Sequence, residues 1–600
     1  MTRLARGARR SRLAALSVAA LTSVAALSAV GNAAPAAAKD APTGTQVQAQ
    51  PAPPRLIDLQ VLALNDFHGQ LEQVPSTSSS GRINTTPAGG AEYLATHLER
   101  LRAEAADRGA HSVTVAAGDL VGATPLLSAA FYDEPTIEAL NAMGLDITSV
   151  GNHEFDQGWR ELVRKQEGGC IEDGPDGRDN RNSCPAGDFT GADFQYLSAN
   201  VFHENTGETV FPATEVREYD GAKVGFIGMT LENTPNIVTQ SGIEGLRFTD
   251  EVETANRLAN QLYKQGVKSV VVLVHEGGYP ADSTAYNSCP GISGPIVDIN
   301  QGLSSKIDAV ITGHTHQAYN CSLLDPAGQP RLVTSGSSLG RIVTDIELKI
   351  NSRSGEIVRE GAVANNNIVT RDVAKDSAMT DLIAKYKDLV SDIESKVIGT
   401  FADGVTSVSR TQDASGESPL GNLIADAQRD DASTITNGRA PEIAFMNPGG
   451  IRADLAADAG GNVTYGAAFS TQPFNNYVVS MDMTGDQVLA LLEQQWSGVN
   501  AGSPKVLQVS GVTYTWSQTA AAGSKVVPGS VLVNGQPLDP AQTYRVAANS
   551  FLADGGDGFS VFRSATGKYF GGLDIDALAA YLGQHPDYTP QPTDRIDVQQ

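Results

Sequence analysis

The chain is short of sulfur, of aromatic rings and of positive charge. Its 600 residues include four cysteines, seven methionines and three tryptophans, and aromatics make up 6%. No two cysteines stand in C-x-x-C spacing, which argues against a thiolate metal site. Basic residues number 43 against 68 acidic ones, for a net charge of −25. That balance disfavours a surface built for nonspecific binding to a nucleic-acid polymer. It leaves anionic substrates open, because bound cations reverse a local field whatever the net charge. One long apolar run occurs, near the start, and the C-terminal end carries no apolar tail.

That first run has the parts of an export signal. Arg3, Arg6, Arg9, Arg10 and Arg12 precede "LAALSVAALTSVAALSAV", and small residues follow in "GNAAPAAAKD". The Arg9–Arg10 pair is compatible with twin-arginine export. Residues 1–38 are expected to be a signal peptide and 39–55 a flexible leader. The mature protein would then be secreted or associated with the cell envelope, without stable membrane insertion. An even cysteine count in an exported chain favours disulfides. Of three possible pairings, Cys170–Cys184, closing the polar loop "CIEDGPDGRDNRNSC", and Cys289–Cys321 are favoured.

A length of 600 residues calls for about two to four domains. From 56 to 365, short Val/Ile-rich runs ("LQVLAL", "SVTVAA", "DITSV", "VGFIGM", "SVVVLV", "DAVIT") alternate with helical stretches such as "GAEYLATHLERLRAEAADRG" and "TANRLANQLYKQG". That alternation predicts a layered α/β domain. "MTDLIAKYKDLVSDIESKVIG" predicts a long polar connecting helix over 373–398. Residues 399–600 form a second, glycine-rich α/β block. Its helices are predicted at "LGNLIADAQRDDA" and "TGDQVLALLEQQW", and its strands at "EIAFMN" and "TYRVAAN".

Five apolar runs of the first block end in possible ligands. They lead to Asp66 and His68, to Asp119, to Asn152 and His153, to His275, and to His314 and His316. Singly, each has a plain reading as a turn residue, a helix cap or a hydrogen-bonded core histidine. Together they are what a metal centre needs, because the carboxyl ends of strands in a layered sheet open on one crevice. Mixed carboxylate, imidazole and amide donors suit zinc, manganese, iron or cobalt. The donors exceed the needs of one ion, and a carboxylate can bridge two ions about 3.5–4 Å apart.

"NDFHG", "AAGDLVGATP", "GNHEFDQG", "HEGG" and "GHTH", in this order, resemble the calcineurin-like metallophosphoesterases. With the second block, the chain resembles the secreted 5′-nucleotidase family, which includes the periplasmic UDP-sugar hydrolases. The resemblance implies an α/β/β/α catalytic domain, a smaller α/β substrate-recognition domain and two divalent ions. It implies that Asp66, His68, Asp119 and His316 hold one ion and that Asp119, Asn152, His275 and His314 hold the other, with Asp119 bridging. His153 and Asp156 would be the catalytic dyad, although Asp156 could instead cap the next helix.

In the second block, "NPGGIR", "TQPFNNYVV" and "NSFLADGGDGF" offer close backbone approach, a guanidinium fork and aromatic rings, with Phe474 expected outside a strand and Phe551 and Asp557 in a glycine-rich loop. By resemblance, Phe474 and Phe551 clamp a base, while Asn447, Gly449, Arg452 and Asp557 contact base, ribose or phosphate. The alternative is that both rings belong to the core. Family members often carry an arginine just before "LGNLIADA"; here the nearest is Arg410, upstream, which leaves the phosphate to Arg452 and the metals. The reaction implied is removal of the 5′-phosphate from a nucleotide by metal-hydroxide attack, with the cleft closing by rotation about 385–396. The alternatives are a 2′,3′-cyclic nucleotide phosphodiesterase or UDP-sugar pyrophosphatase and, more distantly, a non-catalytic extracellular binding protein.

Overall fold

A computed structural model describes residues 55–171, 183–184 and 187–600. The expected signal peptide and nearly all of the leader lie outside the described residues, as does most of the loop between Cys170 and Cys184. Both favoured disulfides are formed, with Cα–Cα separations of 5.6 Å for Cys170–Cys184 and 5.0 Å for Cys289–Cys321. Among the described residues, no helix is long and apolar enough to cross a membrane.

Two six-stranded sheets build the first block. The first runs in the order Val363–Ile368, Ile342–Asn351, Leu56–Leu64, His111–Ala117, Ile147–Ser149, Gln195–Leu197, and its last four strands are parallel. In the second, Ala222–Thr230, Ser269–His275, Ala309–Thr312 and Pro330–Gly336 are parallel, and Thr214–Tyr219 and Ala318–Leu324 are antiparallel edges.

The strands are apolar on both faces because both faces are covered. Leu59, Val61 and Ala63 point into the layer between the sheets, against Val224, Phe226, Val271 and Leu273. Their neighbours Leu62 and Leu64 point outward, into the cluster that holds Leu94, Leu98 and Leu101 of the helix Ala91–Asp107. The outer face of the second sheet does the same with Leu258 and Leu262 of the helix Glu251–Lys264, whose first turn is capped by Asp250. Each buried leucine contributes about 1.5–3 kcal/mol. The result is the expected α/β/β/α stack.

The predicted connecting helix runs over Ser377–Glu394, capped by Asp376, and is shorter than expected. Val397–Thr400 is instead a strand paired with Asn462–Thr464. Nor is the helix polar all round. Met379, Ile383, Tyr386 and Val390 form a buried stripe, and the Tyr386 hydroxyl donates to Glu138. Within 385–396, only the residues after Val390 are exposed without interruption.

In the second block, a five-stranded sheet has the order Gln508–Ser510, Ile443–Met446, Thr543–Asn549, Tyr477–Thr484, Thr566–Leu573. One face packs on the helix Gly485–Glu493, which starts in a capping box of Thr484 and Gln487. The other packs on Pro419–Asp430 and Asp574–Gln584.

Arg331 is the largest fully buried side chain, and it fixes the strand that leads to "GHTH". Its guanidinium donates to the carbonyls of Ile307 (2.9 Å), Asn300 (2.9 Å) and Ser304 (2.7 Å). Arg331→Met would leave the Asn300 carbonyl without a donor, while Ile307 O keeps Arg359 and Ser304 O keeps the Ile307 amide. The expected cost is about 1–3 kcal/mol, read as a lowered thermal midpoint against wild type.

Candidate metal centre and substrate cleft

All seven sequence-derived ligands lie at carboxyl ends of parallel strands, where the two sheets meet. The loop after Leu56–Leu64 is laced to the loop after His111–Ala117 by Asp66 N–H to Gly118 O, His68 N–H to Asp119 O and Gly69 N–H to Leu120 O, each 3.0 Å. The second sheet joins through the His314 amide, which donates to the Asp66 carboxylate at 3.0 and 3.1 Å. Two clusters result. Asp66, His68 and His316 offer donor atoms within 4.8 Å of one another, and so do Asp119, His275 and His314. Asp119 Oδ2 stands between them, 3.8 Å from His68 Nε2 and 2.9 Å from His275 Nε2.

The backbone is strained at these positions. Asp66, His68, Asp119, His314 and His316 all adopt positive φ, between 48° and 70°. Non-glycine residues visit that region rarely, and such strain gathers at functional sites held by their surroundings. Gly151 shows how tight the loops are. A Cβ there would stand 2.2 Å from Asp119 Oδ1, so Asn152 can approach only if the preceding residue has no side chain.

The donor chemistry fits divalent cations. His68 Nδ1 donates to Gly122 O (2.8 Å) and His275 Nδ1 to Ala117 O (2.7 Å), which turns both Nε2 lone pairs inward. His68 Nε2 and His316 Nε2 face each other at 3.1 Å, a spacing for two ligands of one ion. Asn152 Oδ1 is buried with no hydrogen-bond partner. Burial lowers His68 to about 3 and His314 to about 4, so both rings are neutral. Burial would lower His275 too, but the Asp119 carboxylate overrides it and pushes that ring up to about 10. Asp119 is in turn held well below the usual carboxylate range, against burial, by His275 and His153. The acidic pair thus draws positive charge, and a divalent ion meets that demand with His275 neutral.

Beside the centre, His153 Nδ1 lies 2.8 Å from Asp156 Oδ2, and the His153 amide donates to Asp119 Oδ1 at 2.9 Å. The Asp156 and Asp119 charges raise the His153 pKa, outweighing its burial. Asp156 does not cap the following helix, which starts after Gly158.

A cleft of about 470 Å³ is lined by Asn152, His153, Asp156 and His314 from the first block. The second block adds Asn447, Gly449, Arg452, Phe474, Phe551 and Asp557 to the same cleft. Both phenylalanines are half-buried, and Phe474 stacks on His153 at 5.7 Å and 21°. Phe551 sits in the short helix Ser550–Ala553 and not in the predicted loop; the far end of its ring crowds Gly556, where a Cβ would be 2.5 Å away. Asp557 accepts from Asn447 at 3.1 Å, and Asn447 accepts from Asn549 at 2.9 Å.

Sequence reasoning missed Lys505, which pairs with Asp557, and Trp159, Arg160 and Asn549, which line the cleft. Asn549 begins the quoted "NSFLADGGDGF"; Lys505 lies in no recognisable pattern. Arg410 stands close enough to Arg452 for the two charges to repel, so the second block brings two guanidinium groups to this side.

Residues 59–318 match the calcineurin-like phosphoesterase family, and residues 397–564 match the 5′-nucleotidase C-terminal domain. The chain is 33% identical over 545 residues to a cell wall protein of Listeria monocytogenes, covering 87% of this chain and 66% of that one. It is 30% identical over 523 residues to an endonuclease of Bacillus subtilis, covering 86% and 39%. The chain therefore spans under two thirds of the length of these relatives. Among solved structures, a 5′-nucleotidase precursor from Thermus thermophilus aligns with a TM-score of 0.68 at 26% identity, covering 90% of this chain and 99% of that one. The chain belongs to the calcineurin-like metallophosphoesterases that carry a 5′-nucleotidase C-terminal domain.

Protein stripped with a chelator should gain thermal stability when Mn²⁺ or Zn²⁺ is added. A ligand at a hundred times its Kd contributes about 2.7 kcal/mol. Gly151→Ala and His275→Ala should each lose most of that gain in a thermal melt.

Proposed function

We propose that this chain is an exported dimetal phosphohydrolase that converts nucleoside 5′-monophosphates to nucleoside and phosphate. The observation that carries the reading is the single cleft in which His153, Asn152 and His314 face Arg452, Phe474, Phe551 and Asp557. Asp66, His68, Asp119 and His316 would hold one ion and Asp119, Asn152, His275 and His314 the other. Bound there, such ions supply an activated water and neutralise phosphoryl charge.

The protein's own groups do the rest. Asp156 fixes the His153 ring through Nδ1, leaving Nε2 for the phosphoryl oxygens or the departing ribose oxygen as charge develops. Arg452, helped by Arg410, grips phosphate. Asp557, held by Asn447 and Lys505, is placed to accept from ribose hydroxyls. Phe474 and Phe551 stack the base. Two disulfides suit an oxidising compartment outside the cytoplasm.

The test is a substrate panel on one metal-loaded preparation: AMP, UDP-glucose, 2′,3′-cyclic AMP, p-nitrophenyl phosphate and single-stranded DNA. AMP should be turned over fastest. Equal rates on AMP and p-nitrophenyl phosphate would reject a nucleoside-recognising cleft. His153→Ala should lower kcat about 10²–10⁴-fold with metal content unchanged. Phe474→Ala or Phe551→Ala should weaken AMP binding by about 1–3 kcal/mol, seen mainly in KM.

A further inference from the structure

Glu154 follows His153 in "GNHEFDQG", and its side chain turns away from the cleft. It is 2% exposed. Its carboxylate accepts three main-chain hydrogen bonds: Gly151 N–H to Oε2 at 2.5 Å, Asp119 N–H to Oε2 at 2.9 Å, and Leu120 N–H to Oε1 at 2.8 Å. Among the described residues, no lysine or arginine forms an ion pair with it. A buried carboxylate without a partner cation is costly: burial and the Asp119 charge push Glu154 up to about 7, and the converging main-chain donors oppose that rise. Here the donors belong to two different strand-end loops, one carrying Asp119 and the other Asn152 and His153.

We infer that Glu154 is a positioning residue that locks the Asp119 loop to the Asn152–His153 loop. It thereby fixes the spacing of the two ion sites and of His153. The inference rests on the proposed roles of Asp119, Asn152 and His153. Three geometric facts support it. Asp119 holds φ of 50°, a conformation its own side chain does not favour, and its amide is one of the three donors. Asp119 Oδ1 accepts the His153 amide at 2.9 Å, so the two loops are tied in both directions. Gly151 approaches Asp119 so closely that a small slip between the loops would separate Asn152 from the Asp119 carboxylate.

A glutamine cannot replace this carboxylate. Its one oxygen can take the Gly151 and Asp119 amides, but its NH₂ would then face the Leu120 N–H, donor against donor. Shape and volume are nearly conserved, so Glu154→Gln isolates the acceptor pattern from packing. Glu154→Asp keeps two acceptor oxygens but draws them back by one methylene.

The experiment measures three quantities on wild type, Glu154→Gln and Glu154→Asp: Mn²⁺ bound per chain by titration, kcat and KM for AMP at saturating Mn²⁺, and the thermal midpoint without metal. Glu154→Gln should bind the second equivalent of Mn²⁺ about 10–100-fold more weakly. Its kcat should fall by a similar factor, with KM within about twofold of wild type. Glu154→Asp should recover part of both losses. A Glu154→Gln protein that binds two ions and turns over AMP as wild type does would overturn the inference. So would parallel losses in midpoint and activity with metal affinity intact, because that pattern is plain destabilisation. Should Glu154→Gln fail to fold, the aspartate variant carries the test, and wild-type metal affinity there counts against the lock. A wild-type protein that binds no divalent ion would instead overturn the metal-centre reading, and the two failures are separable.

Discussion

The demand of two buried carboxylates for positive charge governs the first block. Asp66 and Asp119 are fully enclosed, and each is held ionised by the rings around it. Nothing in the apolar layers would stabilise such a pair. The backbone at their strand ends adopts left-handed turns, the neighbouring glycines permit loops to approach within a side chain's width, and the histidines direct lone pairs inward through carbonyl contacts. The two sheets bring distant segments to one rim, and the electrostatics of that rim explain why the loops are shaped as they are.

The second block is organised differently: it brings polar side chains and two aromatic rings to the cleft that His153 lines from the other side. Its cleft residues sit on short turns off a rigid sheet. Asn447 and Asn549 are the last residues before or within those turns, and they are bonded to each other. Phe474 follows a proline outside any strand and touches the first block through His153. The cleft residues of the two blocks are therefore in contact even though they arise from separate sheets.

Much of this was legible in the sequence because apolar runs ending in Asp, Asn or His carry a strong local pattern. The strands at "LQVLAL", "SVVVLV" and "DAVIT" and the Asp, Asn and His residues at their ends need only periodicity and position at a run's end, whereas setting His153 apart from the seven candidate ligands rests on the family resemblance. What could not be read was whatever depends on partners distant in the chain. Lys505 pairs with Asp557 across a fold no short motif announces. The connecting helix looked polar because its lysines and aspartates dominate the composition, yet four residues on one stripe are buried. The glycines that crowd the C-terminal side of Phe551 point to a loop, whereas Asn549 caps one helical turn there.

That stripe on the helix has a wider consequence. Met379, Ile383, Tyr386 and Val390 belong to one apolar cluster with Leu94 and Ile137 of the first block and Leu423, Ile424 and Leu578 of the second. A core shared in this way makes the halves thermodynamically interdependent. Cutting the chain beyond the helix would strand an oily seam in water, so neither half is a portable module. Protease nicking at the exposed residues after Val390 would be felt in both halves at once.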